Sequence, residues 1–178
     1  MSYYLKNGYV ADDRTNESVA RTLEFALSDY CIAQMAKALG KTADYEDLMR
    51  RAKNYRYLYN PKTKLFQARN ADGSWAGEHS GFTEGANWTY QFCVMQDVQG
   101  LIDLMGGNES FAAALDNVFD NGHYRHDNEP GHHYVYLYNY CGRFDKAQER
   151  IPEILETHYR NGADGLSGND DCGQMSAW

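Results

Sequence analysis

Hydrophobic and polar positions alternate with a helical period through the first third of the chain. Apolar and small residues spaced three to four apart predict a helix over residues 18–39, with Thr15 or Asn16 as its N-cap. The same spacing predicts a second helix over residues 43–57. Because the link between them is short, the two helices should form an antiparallel hairpin.

The rest of the chain continues the pattern of helices separated by turns or long polar loops. Further helices are predicted over residues 87–105, 110–119, 133–140 and 144–159, and residues 64–68 are the only stretch that resembles a strand. The intervening segments 70–84, 121–132 and 164–173 are too polar to be core and too long to be simple turns, which is typical of functional loops.

Paired helices with long loops collected at one end are typical of a toroid of helical hairpins. We therefore predict an all-α fold made of such hairpins, with residues 1–178 forming part of one domain. Helical periodicity alone also fits a solenoid of helix pairs, although no motif repeats at a fixed interval.

Composition narrows the classes of partner. The net charge is −8, from 17 Lys and Arg against 25 Asp and Glu, so the chain lacks the basic surface that nucleic acids and anionic membranes require. No apolar run approaches the ~20 residues of a membrane span. Aromatic residues reach 14%, and these side chains either stack on sugars or fill helical cores. Neutral substrates and cations such as calcium are the compatible partners.

The three polar loops hold most of the residues that could perform chemistry. Five of the six histidines lie in the first two loops or directly after the second. The candidate side chains are, in the first loop and its exit, Glu78, His79, Thr83, Glu84, Asn87 and Trp88; in the second, His123, His126, Asp127, Asn128, Glu129, His132 and His133; and in the third, Asp164, Asn169, Asp170, Asp171 and Gln174.

Carboxylates placed before helices are the first candidates for catalysis. Cleavage of a glycosidic bond with inversion needs an acid and a base about 6.5–9.5 Å apart, so that a water fits between the base and the sugar. Glu84 precedes one predicted helix and Asp170 and Asp171 precede another, where they could face a shared opening. The alternative for each is helix capping and compensation of the helix dipole.

The segment Asn128–His133 combines oxygen and imidazole donors on a turn that contains Pro130. Carboxylate and amide oxygens favour a hard ion such as calcium. Adjacent histidines without helical spacing are weaker support for zinc, and a turn capped by Asn128 or Glu129 would need no metal. From the spacing alone these three interpretations stay open.

Taken together, four collinear strings resemble glycoside hydrolase family 92, the calcium-dependent exo-α-mannosidases. They are Gly81–Trp88, Asp97–Gly107, Asn128–His133 followed by Tyr136–Tyr140, and Gly168–Trp178. The resemblance covers nearly the whole chain and rests on long, unusual strings.

The resemblance implies a fold and a location. The family combines an N-terminal β-sandwich with an (α/α)6 toroid, and this chain would be a consecutive part of the toroid without the sandwich. The end of the chain at Met175–Trp178, inside a predicted helix, agrees with a fragment. A secreted or periplasmic location is also implied by the family, although the first residues of this chain carry no signal peptide.

The resemblance also implies an activity, namely removal of terminal α-linked mannose, expected to be α-1,2-linked, from glycans with inversion. Glu84 resembles the general acid, and Asp171, favoured over Asp170, resembles the general base. The implied substrate-binding residues are Trp88, Glu129, His132 and His133, and the implied ligands of a Ca²⁺ cofactor are Asn128 and Glu129.

Two positions depart from the family pattern. Ala86 and Asn87 stand in exchanged order, and Gly131 replaces a common serine. The first departure could move Trp88 or an amide that contacts sugar. Two alternatives to a mannosidase are kept: a non-catalytic carbohydrate-binding remnant of the same fold, which truncation of the domain would favour, and a toroid hydrolase for another sugar.

Overall fold

The computed structural model describes residues 2–178 and divides into two compact units, residues 2–97 and 98–178. The helices of the first unit are α1 (Ser2–Asn7), α2 (Ser18–Ala38), α3 (Thr42–Arg51) and α4 (Asn87–Tyr90), and those of the second are α5 (Val98–Leu104), α6 (Asn108–Asp120), α7 (Phe144–His158) and α8 (Gln174–Ala177). Short 3-10 helices occupy Asp12–Arg14, Asn54–Leu58, Met95–Asp97, Glu129–Gly131 and Tyr134–Cys141.

The predicted hairpin of the first unit is confirmed by the packing of α2 on α3. Ala33 and Ala36 of α2 form a buried cluster with Leu48 of α3. A second link is polar, because the nearly buried Asp29 of α2 accepts hydrogen bonds from Arg51 of α3, at 3.2 Å from both Nε and Nη2. The hydroxyl of Tyr4 in α1 donates to the same carboxylate at 2.8 Å. One acidic group therefore ties three helices together.

The start of α2 differs from the prediction. Neither Thr15 nor Asn16 caps the helix; Glu17 occupies the N-cap with φ +57° and makes no side-chain cap. The amides of Val19 and Ala20 instead donate to the carbonyl of Gly81, at 2.9 and 3.1 Å. A loop distant in sequence satisfies the helix end, which local sequence rules do not detect.

The predicted strand is present in a shortened form. β1 (Tyr59–Asn60) pairs antiparallel with β2 (Leu65–Phe66), with Tyr59 opposite Phe66. The predicted helix over 43–57 ends at Arg51 and continues as the 3-10 turn Asn54–Leu58. The predicted helix over 87–105 is wrong as one element, since it is interrupted between α4 and the 3-10 turn Met95–Asp97. The buried side chains of Phe92 and Val94 lie in that interruption.

The second unit packs α6 and α7 against the 3-10 segment Tyr134–Cys141, which the sequence predicted as an ordinary helix. The buried face of α6 carries Phe111, Leu115 and Val118, spaced by one or two turns. Asp116, from the neighbouring face, accepts a hydrogen bond from the hydroxyl of buried Tyr138 at 2.8 Å. Among residues 2–178, no helix is long and apolar enough to cross a membrane.

Candidate active site

The first polar loop is fixed at Gly81 before it reaches Glu84. Besides the carbonyl contacts with α2, a hydrogen-bond pair centred on Asp12 holds the loop, because both Ser18 and Ser80 donate to that carboxylate. A Cβ atom added at Gly81 would lie 2.5 Å from Ser18 Oγ and 3.0 Å from Val19 Cγ2. Glycine at this position therefore allows the close approach of the loop to α2.

Glu84 follows three residues later in a left-handed backbone conformation, with φ +51°, and its side chain is exposed. A residue other than glycine rarely adopts this conformation, and it persists where neighbouring contacts enforce it. Those contacts flank Glu84 on both sides. The hydroxyl of Tyr90 donates to the carbonyl of Thr83 at 2.8 Å, and the amide of Ala86 donates to Thr89 Oγ1 at 3.2 Å.

The exchanged pair Ala86–Asn87 lies at the start of α4. Asn87 uses its side-chain oxygen locally, since Oδ1 accepts from the amide of half-buried Trp88 at 2.9 Å. Asn87 and Glu78 also line a small cavity of about 60 Å³ beside β2. A larger groove of about 600 Å³ in the same unit is lined by α3 and the turn after it, away from the predicted loop residues.

In the second unit, the second and third polar loops meet at Gly168. A Cβ atom added there would lie 2.3 Å from the carbonyl oxygen of Asp127. Gly131 is equally restricted, with a hypothetical Cβ 2.1 Å from the carbonyl oxygen of Arg125. The departure from serine at position 131 thus coincides with a close backbone approach. These contacts bring the segment Asn128–His133 and the acidic turn next to each other.

The two aspartates of the third loop have different environments. Asp170 Oδ1 accepts hydrogen bonds from the backbone amide and the side-chain hydroxyl of Ser176 in α8, at 2.9 and 2.6 Å. These hydrogen bonds lower the pKa of Asp170. Asp171 is exposed and has φ +45°, the same uncommon backbone region as Glu84. Asp170 therefore shapes the turn, and Asp171 is held in a strained position within it.

The predicted ligands Asn128 and Glu129 are adjacent but already partly engaged. Asn128 Oδ1 caps the following turn by accepting from the amide of Glu129 at 3.1 Å, while the Glu129 side chain is exposed. Calcium takes about six to eight oxygen ligands. Within the described part of the chain, no three His, Cys, Asp or Glu side chains are grouped so that they could hold a metal ion. The two residues have the chemistry that calcium prefers but form an incomplete set.

The two predicted histidines differ in exposure. His132 is 5% exposed and both of its ring nitrogens have protein partners, the carbonyl of His126 at 2.9 Å and Gln174 Nε2 at 3.2 Å. His133 is half-buried, and its ring contacts Tyr134 with centroids 5.0 Å apart. The predicted sugar contact by His132 stays a prediction, and its imidazole already has a structural role.

Sequence reasoning placed His126 among the candidates of the second loop but assigned it no role. It is 1% exposed, with Nδ1 2.7 Å from the Tyr124 hydroxyl and Nε2 2.7 Å from the Tyr159 hydroxyl. Burial, reinforced by nearby His132 and His158, lowers the pKa of His126 to about 4, so the ring is neutral at pH 7. The clustering of histidines in the second loop was the available signal, but it could not distinguish a buried ring from an exposed one.

Comparison with known proteins identifies the family of this arrangement. The model of the glycosyl hydrolase family 92 catalytic domain matches residues 1–178. The chain belongs to glycoside hydrolase family 92. The family prediction, and with it the all-α class as part of an (α/α)6 toroid, is confirmed.

Two solved family members from Bacteroides thetaiotaomicron are similar to the chain. The family GH92 α-mannosidase BT3965 is 46% identical, with a TM-score of 0.90 over 96% of this chain and 24% of that protein. The family GH92 inverting mannosidase BT2199 is 34% identical, with a TM-score of 0.90 over 99% of this chain and 28% of that protein. An uncharacterized secreted glycosidase of Arthroderma benhamiae is 28% identical over 96% of this chain and 26% of its own length. The chain spans about a quarter of the length of these relatives.

Proposed function

We propose that the protein containing this chain hydrolyses terminal α-linked mannose in glycans, with inversion at the anomeric carbon. The observation that carries this proposal is the family match over the whole chain, together with similarity to two solved mannosidases. The strained backbone at both Glu84 and Asp171 adds independent support, because such conformations cluster at functional sites.

In this proposal Glu84 is the general acid and Asp171 the general base. The protonated Glu84 carboxyl donates its proton to the leaving glycosidic oxygen, while ionised Asp171 takes a proton from the attacking water. Asp170 is a supporting residue, because its carboxylate is occupied by Ser176 at the start of α8. Trp88, Glu129, His132 and His133 are proposed to surround the sugar.

We propose calcium as the cofactor, with Asn128 and Glu129 among its ligands. Oxygen atoms from elsewhere in the protein, from water or from the sugar would complete the set. When bound, the ion would supply electrostatic stabilisation and orientation of sugar hydroxyls. A chelator such as EGTA should lower activity on mannosides, and added Ca²⁺ should restore it; full activity after dialysis against EGTA would contradict the assignment.

The activity is tested in the longest natural form of the protein that contains this chain, with α-1,2-, α-1,3- and α-1,6-mannobiose as substrates. We expect preference for the α-1,2 linkage and initial release of β-mannose, detected by ¹H NMR. Glu84→Gln and Asp171→Asn should each lower kcat by about 10²–10⁴-fold, the usual contribution of a general acid or base. Asp170→Asn should lower it less. Turnover of glucosides or uronates above mannosides would contradict the proposal.

We also propose a secreted or periplasmic location, supported by the relative described as a secreted glycosidase. Cell fractionation with an antibody against the protein tests this. Recovery in the cytosolic fraction alone would contradict it.

A further inference from the structure

A partly buried chain of hydrogen bonds runs from the second polar loop to the first turn of α8. The hydroxyl of Tyr159 donates to the carbonyl of Met175 at 3.0 Å, and its oxygen lies 2.7 Å from Nε2 of His126. A hydroxyl has a single proton. Because that proton is directed at Met175, the Tyr159 oxygen accepts from Nε2–H of His126.

This direction determines the tautomer of the histidine. With the proton on Nε2, Nδ1 is unprotonated and accepts from the Tyr124 hydroxyl at 2.7 Å. The chain therefore reads Tyr124 O–H to His126, His126 N–H to Tyr159, and Tyr159 O–H to Met175. His126 is the central member, and its 1% exposure leaves no room for contact with a substrate.

The same region is connected to α8 by two additional contacts through His132. Its Nδ1 accepts from Gln174 at 3.2 Å, and its backbone carbonyl accepts from Nε1 of Trp178 at 2.8 Å. His132 in turn donates to the carbonyl of His126 at 2.9 Å. The position of α8 thus depends on the two buried histidines.

The acidic turn is rigidly connected to the start of α8. Asp170 accepts from Ser176 through its side chain, and its backbone carbonyl accepts from the amides of Gly173 and Met175, at 3.1 and 3.2 Å. Asp171 lies inside this closed turn. A shift of Met175 or Gln174 is therefore transmitted to the Asp171 backbone.

We propose that His126 is a positioning residue that sets the location of Asp171 through Tyr159 and α8. This inference rests on the proposed role of Asp171 as general base. His126 does not transfer a proton to substrate; it fixes the turn that carries the base.

The expected effect is on turnover. A misplacement of about 1 Å in a catalytic group can cost about 100-fold in rate. We expect His126→Phe, which keeps the ring volume but removes both hydrogen bonds, to lower kcat about 10- to 100-fold with KM changed by less than about threefold, since the base acts in the transition state. Tyr159→Phe should give the same pattern, and His126→Gln, which retains one donor and one acceptor, should recover much of the loss.

His158→Phe provides the matched control. The His158 ring lies 5.1 Å from the His126 ring but is outside the hydrogen-bond chain. It should retain kcat within about twofold of the wild-type value. If His126→Phe and Tyr159→Phe lower kcat no more than this control does, the proposal is wrong. If His126→Phe does not fold, Tyr159→Phe decides the question alone.

A double-variant cycle separates this inference from the proposed function. Residues that act as a unit are non-additive, so His126→Phe should cause little further loss once Asp171→Asn is present. Kinetics are measured with an activated aryl α-mannoside in the longest natural form of the protein. An equal fractional loss in both backgrounds would overturn the role of His126. Wild-type kcat for Asp171→Asn alone would instead refute the proposed base.

Discussion

The contact between Gly81 and the start of α2 gives a sharp test of how the Glu84 loop is held. We predict that Gly81→Ala destabilises the protein and lowers its activity. Two effects combine, because Gly81 has φ +86° and the new Cβ would lie 2.5 Å from Ser18 Oγ, 3.0 Å from Val19 Cγ2 and 3.1 Å from Ala68 Cβ.

The magnitude follows from these two effects. A left-handed conformation costs a residue with a Cβ about 1–2 kcal/mol. Overpacking against buried side chains costs about 1–3 kcal/mol more, and Ser18, Val19 and Ala68 are all buried. We therefore expect the free energy of unfolding to fall by about 2–5 kcal/mol. Relief of the clash by movement of the loop would weaken the two amide contacts from α2 and displace the segment leading to Glu84.

Gly40→Ala is the matched control, because Gly40 has φ +68° and no atom within 4 Å of a new Cβ. It should show the backbone cost alone, about 1–2 kcal/mol, with unchanged kcat. Both variants are measured by urea denaturation and by mannoside hydrolysis in the longest natural form of the protein. Equal destabilisation by the two substitutions would refute the argument that close packing requires glycine at position 81.

Three other predictions follow from contacts within single units. Gly168→Ala should lower kcat at least tenfold, because the new Cβ would lie 2.3 Å from the Asp127 carbonyl oxygen. Gly77→Ala is the control and should leave kcat unchanged, because there is open space around Gly77. Similar kcat values for the two variants would argue against close contact of the second and third loops. Arg51→Met removes the cation that pairs with the nearly buried Asp29, and should lower the free energy of unfolding, measured by urea denaturation, by about 3 kcal/mol. Arg50→Met breaks an exposed ion pair and should lower it by less than about 1 kcal/mol. Burial opposes ionisation of Asp116, but hydrogen bonds and charge from Tyr138, Lys146 and Arg150 outweigh it and lower its pKa. The pKa of Asp116 is thus lower in the folded than in the unfolded chain, so this stabilisation is complete above about pH 4 and is lost as the pH falls further. Asp116→Asn should therefore flatten the decline of the free energy of unfolding between pH 5 and 2. An unchanged slope would contradict this prediction.

The regular helices were predictable from sequence because their burial follows the helical period. Helix α2 was predicted over residues 18–39 and spans Ser18–Ala38, and α7 was predicted over 144–159 and spans Phe144–His158. Each has a local ending signal, Gly40 in the first case and Asn161–Gly162 in the second.

Prediction failed where buried positions do not follow that period. At the end of α4 and in the interruption after it, Tyr90, Gln91, Phe92 and Val94 are all buried, a run that no single helix face could accommodate. The apolar content was recognised, but the break required knowledge of the surrounding packing. The segment Tyr134–Cys141 failed for a different reason. Its buried residues keep a helical spacing, and this spacing does not distinguish a 3-10 helix from an α-helix.

For the candidate site, the sequence indicated which residue types are present but not how they are arranged. Residue type and family resemblance were sufficient to nominate Glu84 and the Asp170–Asp171 pair. The resemblance favoured Asp171 over Asp170, and the coordinates add physical differences between them, because Asp170 accepts hydrogen bonds from Ser176 and Asp171 has φ +45°. His126 was a candidate without an assigned role, since the clustering of histidines in a polar loop does not show which ring is buried.

The positive φ angles of Glu84 and Asp171 connect fold stability to the proposed chemistry. Each conformation costs on the order of 1–3 kcal/mol, so it persists only where stronger contacts enforce it. Near Glu84 these are the Gly81 carbonyl on α2 and the Tyr90 hydroxyl on Thr83; near Asp171 they are the Ser176 contacts of Asp170. Both carboxylates are therefore held by neighbours whose own side chains have no proposed role in proton transfer. Substitutions at those neighbours should impair turnover more than the binding of mannosides.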